Sequence, residues 1–98
     1  MGKHISVEDI ERYPDLTSCF CDSNNQRQRE EYRRFLYRAV KTQLTQRQRQ
    51  VVLMHFFQGM SLRAIADELH VHPSSVTRVM RRAMQRLGDL AYLYFEIR

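Results

Sequence analysis

Hydroxyl and arginine side chains recur at helical spacing in residues 73–87, which read PSSVTRVMRRAMQRL. At about 100° per residue, Ser74, Arg78 and Arg81 fall on the side of a helix opposite Val76. Hydroxyl groups both donate and accept hydrogen bonds, and the arginine fork matches guanine edges and phosphate oxygens. The chemistry available on this face is therefore the hydrogen bonding of bases and phosphates.

The two sides of this predicted helix differ sharply in composition. One side carries the apolar residues Val76, Val79, Met80, Ala83 and Leu87. The other carries hydroxyls, arginines and one glutamine: Ser74, Ser75, Thr77, Arg78, Arg81, Arg82, Gln85 and Arg86. No acidic residue occurs between Glu68 and Asp89. Ordinary solvated faces mix both signs of charge, so a merely solvated face is the less favoured interpretation.

A second short helix is positioned to support the first. Ser61 is a good N-cap for a helix at 62–69, and the turn at 70–72 contains His70 and His72. Pro73 fits the first position of the following helix, where a missing N–H costs nothing. Two short helices joined by a tight turn, the second with a polar outer face, form a shape suited to the DNA major groove.

Three further helices are predicted upstream. Residues 26–43 carry an apolar stripe, and Thr45 with Gln48 predicts a capping box for a helix that ends near Gly59. A short helix is predicted at Val7–Tyr13, followed by a loop over residues 14–25. The prediction is an all-α bundle of about five helices, with an acidic N-terminal segment at 1–25 and a helix-turn-helix domain at 26–98.

Length and charge agree with this architecture. Ninety-eight residues suffice for one small domain with a modest core. The net charge is +5, but residues 1–24 carry a balance of −3 and residues 25–98 a balance of +8. Fourteen of the sixteen basic residues are arginines, which bind phosphate and guanine better than lysine does. Positive charge is thus concentrated where the helix pair lies.

Other function classes find little support in the sequence. No catalytic triad, phosphate-binding loop or metal-ligand spacing is present, so we expect neither an enzyme nor a cofactor. Cys19 and Cys21 are poorly spaced for a mutual disulfide and cannot complete a zinc site alone, so reduced thiols and no metal are expected. No apolar run reaches membrane-spanning length, and a soluble cytoplasmic protein is predicted.

From about Tyr32 to Leu87 the chain resembles region 4 of the sigma-70 family of RNA polymerase sigma factors. The resemblance includes the run FLYRAVKTQLTQRQRQVV and continues through Gly59, Ser61, Ile65–Ala66, Leu69, Val71, Ser75–Val76, Arg82–Ala83 and Leu87. It implies a DNA-binding domain whose relatives recognise promoter elements and dock on RNA polymerase. His70 stands where relatives often have glycine, and His72 where they often have a serine or threonine cap. The length leaves no room for sigma region 2, so a stand-alone domain is expected.

These observations predict a sequence-specific transcriptional regulator that binds double-stranded DNA through helix 73–87. The side chains expected to contact bases are Ser74, Thr77, Arg78 and Arg81. Those expected to contact phosphates are Arg47, Arg49, Arg63, Ser75 and Arg82. Two alternatives remain open: an accessory protein that binds RNA polymerase or a sigma factor, and the DNA-recognition subunit of a recombination or packaging system.

The C-terminal segment GDLAYLYFEIR, residues 88–98, is apolar around most of a helical circumference. Such a helix is buried or paired with another surface. Two interpretations follow. The segment forms a homodimer interface or a polymerase contact, or it packs back on the helix at 26–43 and completes the core.

Overall fold

The computed structural model describes Ile10 and residues 15–97. Within that part the chain is all-α and has no strand, as predicted from the sequence. Five α-helices have both ends within the described residues: α1 (Leu16–Phe20), α2 (Gln26–Gln43), α3 (Gln46–Val52), α4 (Leu62–Leu69) and α5 (Pro73–Tyr92). The predicted helix at Val7–Tyr13 lies outside the described residues except for Ile10, which is helical and fully buried.

Helix α1 lies inside the segment predicted as a loop, and that prediction was wrong for residues 16–20. Asp15 caps the helix by accepting a hydrogen bond from the Ser18 amide at 2.8 Å. Leu16, Cys19 and Phe20 have the spacing of one helical face, and all three are buried. A five-residue helix gains little from propensity, so its burial against α2 is what stabilises it.

Arg29 of α2 fastens α1 to the rest of the fold. Its guanidinium donates to the Cys21 carbonyl at 3.1 Å and to the Ser18 hydroxyl at 3.0 Å. The Asp15 carboxylate lies 4.0 Å away. The Cys19 and Cys21 side chains are both buried here and are not joined by a disulfide. Basic charge on α2 is therefore partly used for internal structure.

Helix α3 begins as the sequence predicts. Thr45 and Gln48 form the reciprocal capping box, with distances of 3.2 and 3.1 Å. The helix then widens into a π-helical turn over Leu53–Phe57. Gly59 ends it with a φ of +73°, a backbone conformation that glycine adopts without a steric penalty.

Helix α5 is longer than predicted. It was expected to end at Leu87 but continues to Tyr92 and then into a π-helical turn, Leu93–Ile97. Gly88 lies buried within it rather than beyond its end. A glycine inside a helix costs about 1 kcal/mol relative to alanine, and the burial of Leu87 and Ala91 on either side outweighs that cost.

The apolar C-terminal segment packs on α2, in accordance with the second interpretation of its sequence. The Phe95 ring stacks on Tyr32, with centroids 4.0 Å apart and planes inclined by 12°. Phe35 contacts Phe95 edge-on at 5.3 Å and Tyr94 at 4.7 Å. Leu93 and Tyr94 stay about half exposed, at 56% and 47%. No helix in the described part of the chain is long and apolar enough to cross a membrane.

Candidate nucleic-acid interface

The turn between α4 and α5 sets the angle between these two helices. The Ser61 hydroxyl caps α4 by accepting from the Ala64 amide at 3.1 Å. At the other end His70 adopts the left-handed conformation, with φ 58° and ψ 43°. The Val71 amide then donates to the Ala66 carbonyl at 3.0 Å, which closes the turn. A histidine thus occupies a backbone conformation that glycine would adopt more easily.

The inner side of α5 is buried as the periodicity predicts. Val76, Met80, Ala83 and Leu87 are at most 2% exposed, and Val79 is half-buried. Met84 is also fully buried, although its angular position is on the flank of the predicted stripe. The buried stripe is wider than predicted because α2, α3 and α4 all pack around α5.

The outer side of α5 presents the predicted polar residues to solvent. Ser74, Arg78, Arg81, Arg82 and Arg86 are exposed, and Ser75, Thr77 and Gln85 are half-buried. Arg78, Arg81 and Arg82 form no hydrogen bond or ion pair with any described residue, so all of their donors are available to a ligand. Arg86 donates to Gln43 at 3.2 Å, and Gln85 to Asp89 at 2.9 Å.

Helix α2 shows what an ordinary charged face of this protein looks like. Glu30 and Arg33 form an ion pair at 3.1 Å. The hydrogen bond from Arg33 lowers the pKa of Glu30 below its ordinary value. Helix α2 thus has two acids, Glu30 and Glu31, among its basic residues, whereas α5 carries no acid before Asp89. The positive face of α5 is therefore not neutralised by its own helix.

The residues predicted to hold phosphates have three different surroundings. Arg47 and Ser75 line one cleft of about 90 Å³, so the start of α3 lies beside the start of α5. Arg63 is exposed in the first turn of α4. Arg49 is half-buried, and its guanidinium donates to the Val40 and Leu44 carbonyls at 3.2 and 3.4 Å. These bonds fasten α3 to the end of α2.

His72 is a residue of this surface that the sequence placed only as a helix cap. Its Nδ1 atom lies 3.1 Å from the Ser74 amide nitrogen and 2.8 Å from the Ser74 hydroxyl oxygen. A histidine at the cap position was visible in the sequence, but its contact with the hydroxyl of a predicted base-contacting residue was not. That contact depends on the rotamers of both side chains.

The helix pair α4–α5, its closed turn and the exposed basic face of α5 define a helix-turn-helix domain. The sequence profile described as Sigma-70, region 4 matches residues 34–87, more than half of the chain. The chain therefore belongs to the sigma-70 region 4 family. Domains of this family typically bind DNA through a helix-turn-helix and also bind RNA polymerase. Comparison with curated proteins and with solved structures gave no match.

Proposed function

We propose that this protein is a sequence-specific DNA-binding transcriptional regulator that reads the major groove through residues 73–87 of α5. The observation that carries the proposal is the outer face of α5, where Arg78, Arg81 and Arg82 are exposed and form no hydrogen bond or ion pair with any described residue, and where the helix carries no acid before Asp89. Burying such a face against anything but an acidic partner would leave several charges uncompensated. The phosphate-lined major groove compensates them.

The proposed roles follow from position along α5. Ser74, Thr77, Arg78 and Arg81 contact base edges, because the first turns of a recognition helix enter the groove. Ser75 and Arg82 flank them and contact the DNA backbone. Arg47 and Arg63 contact phosphates from the first turns of α3 and α4, whose N-terminal amides also favour anions. Arg49 holds the α2–α3 corner, and we assign it the weakest phosphate contact of the set.

The test is a selection of bound sequences from random DNA, followed by affinity measurements on the selected site. Arg78→Ala should weaken binding about ten- to a hundredfold and relax the preference at its base pair. Arg34→Ala is the matched control, because Arg34 is an exposed arginine on α2 that forms no hydrogen bond or salt bridge with any described residue. If Arg78→Ala bound the site with the same affinity and selectivity as the wild-type protein, the proposal that Arg78 contacts a base would be wrong.

Salt dependence separates backbone contacts from base contacts. If about five to seven phosphates are neutralised, log affinity falls against log salt with a slope of roughly −5 to −6. Arg63→Ala should weaken binding to all sequences alike and make that slope shallower by about one unit. A slope that stays the same in Arg63→Ala would show that Arg63 contacts no phosphate.

A second candidate function, docking on RNA polymerase, is favoured by a different surface. Tyr37 and Phe57 are exposed by 48% and 52%, and their rings meet edge-on at 5.9 Å. They border a cleft of about 290 Å³ that Leu36 and Phe56 also line. Exposed aromatic residues beside a cleft are typical of protein contacts. Capture of core polymerase by the wild-type protein, lost in Phe57→Ala but kept in Arg78→Ala, would support this function.

Self-association through residues 88–98 is a further proposal about partners. Much of the segment packs on α2, but Leu93 and Tyr94 remain about half exposed. A dimer would place two copies of α5 on half-sites about one DNA turn apart. A palindromic result in the site selection, together with a dimer in sedimentation, would support it. A single asymmetric site bound by a monomer would not.

A further inference from the structure

At the start of α5, His72 contacts both the amide and the hydroxyl of Ser74, and the direction of each hydrogen bond follows from which of these groups can donate. The Ser74 amide nitrogen lies 3.1 Å from His72 Nδ1, and a backbone N–H can only donate. Nδ1 therefore accepts, which requires its lone pair. The ring is then the neutral imidazole with its proton on Nε2.

That assignment fixes the direction of the second contact. Because Nδ1 carries no proton, the 2.8 Å contact with Ser74 Oγ requires the hydroxyl to donate to the ring, and the amide and the hydroxyl share the single Nδ1 lone pair as a bifurcated hydrogen bond. A serine hydroxyl has only one proton. The Ser74 oxygen is left with acceptor lone pairs and no donor for any third group, and the residue is exposed on the outer side of α5.

This cap differs from the other helix caps in the described part of the chain. Asp15, Asn25, Thr45 and Ser61 each accept from the amide three residues ahead. His72 instead accepts from the amide two residues ahead and from the hydroxyl of that same residue. A serine or threonine cap bonded to the third amide would leave the Ser74 hydroxyl free to rotate. The histidine restricts it.

We infer that His72 is a specificity-determining residue that acts by positioning the Ser74 hydroxyl as an acceptor. The inference rests on the proposed function, in which Ser74 contacts a base edge. In the major groove only adenine N6 and cytosine N4 present amino donors, whereas guanine O6 and thymine O4 are acceptors. The base that Ser74 meets is therefore adenine or cytosine.

The experiment is a site selection with four full-length proteins: wild type, Ser74→Ala, His72→Ala and His72→Asn. The wild-type protein should prefer adenine or cytosine at one position by about five- to tenfold. Ser74→Ala should lose that preference, which identifies the position. His72→Ala should accept guanine and thymine there as well, because the released hydroxyl can turn and donate to a keto oxygen.

His72→Asn is the conservative rescue. Its side-chain oxygen has two lone pairs and can accept from both the Ser74 amide and the Ser74 hydroxyl. The preference for adenine or cytosine should return. A merely structural cap would alter affinity for all sites equally, so the preference at one position is the informative measurement. His70→Asn is the matched control, because His70 is the neighbouring turn histidine and its side chain forms no hydrogen bond or ion pair with any described residue.

The outcomes separate this inference from the proposed function. If the wild-type protein selects no sequence, the proposed function fails. If it selects a site but prefers guanine or thymine at the Ser74-dependent position, or if His72→Ala leaves the preference unchanged, the inference about His72 fails alone. Should His72→Ala fail to fold, His72→Gly replaces it, because glycine is a better N-cap than alanine and also lacks Nδ1.

Discussion

Helix α5 and the π-helical turn after it form one continuous helix, whose first half (residues 73–86) and second half (residues 87–97) face different surroundings. In residues 73–86 the outer side is exposed, basic and without a carboxylate. In residues 87–97 the helix and its π-helical turn place aromatic rings against α2, with Phe95 stacked on Tyr32 at 4.0 Å. The first half has unused hydrogen-bond donors, and the second half is held by packing.

The comparison indicates how a small domain can present a rigid surface. A groove-reading helix must keep its side chains at fixed positions relative to the phosphate contacts on other helices. The packing of Leu87, Ala91 and Phe95 in the second half helps to fix the exposed outer side of the first half through helical continuity, since no break occurs at Gly88. Substitutions of buried residues in the second half should therefore change stability, and substitutions on the outer side of the first half should change selectivity.

The largest expected effect is at Leu87, where the two halves meet. Leu87 is fully buried, and Leu87→Ala should lower the free energy of unfolding by about 3 kcal/mol through lost transfer energy and a residual cavity. Leu93→Ala is the control, because Leu93 is 56% exposed and should cost well under about 1 kcal/mol. Denaturant unfolding measures both. Similar losses for the two variants would contradict the core assignment.

The next largest effect is expected at Phe95, which packs the second half of the helix on α2. Phe95→Ala removes the stack on Tyr32 and the edge contact with Phe35, and should destabilise the protein by about 2 kcal/mol because Phe95 is only partly buried. Bound sequences selected below the unfolding transition should match those of the wild-type protein. A changed base preference would contradict the expectation that the second half of the helix affects stability and leaves selectivity unchanged.

A smaller change in stability, of opposite sign, is expected in the turn between α4 and α5. His70 adopts φ 58°, so His70→Gly should stabilise the protein by about 1 kcal/mol through relief of the left-handed strain. His70→Ala keeps the Cβ atom and should give no gain. Thermal or denaturant unfolding compares the three proteins. A glycine variant less stable than the alanine variant would show that the conformation carries no strain.

The smallest expected effect is the dependence of stability on alkaline pH through Tyr32, the residue on which Phe95 stacks. Burial raises the pKa of Tyr32, and Glu96 raises it further. As the pH rises, the Tyr32 hydroxyl loses its proton in the unfolded chain before it does so in the folded protein. The contribution of protonated Tyr32 to the free energy of unfolding is therefore complete below about pH 10. It disappears as the pH rises through the raised pKa of the folded state. Tyr32→Phe should make the fall in unfolding free energy between about pH 9 and 11 shallower, and an unchanged fall would contradict the prediction.

Local sequence patterns were enough for most of the helices. The capping box of Thr45 and Gln48, the Ser61 cap and Pro73 at a helix start are interactions within a few residues, so α3, α4 and α5 begin where predicted. The resemblance to sigma-70 region 4 was confirmed over residues 34–87. The base and phosphate contacts remain predictions.

Features that depend on distant partners were not predictable in the same way. Helix α1 at residues 16–20 offers little more than one turn of apolar spacing, and it depends on α2 for its burial. Arg49 has the sequence environment of a phosphate ligand, yet its donors reach carbonyls at the end of α2. Met84 is buried because helices pack on both flanks of α5, which a single-helix projection cannot show.

The sequence by itself determined the helix-turn-helix, the caps of its helices and the acid-free outer face of α5, because each depends on residue types a few positions apart. The tertiary structure decided which apolar surfaces meet. It placed the C-terminal aromatic residues on α2, extended α5 past Gly88 and brought His72 against the Ser74 hydroxyl. These outcomes depend on packing and rotamers, which local spacing leaves open because several partners could satisfy the same pattern.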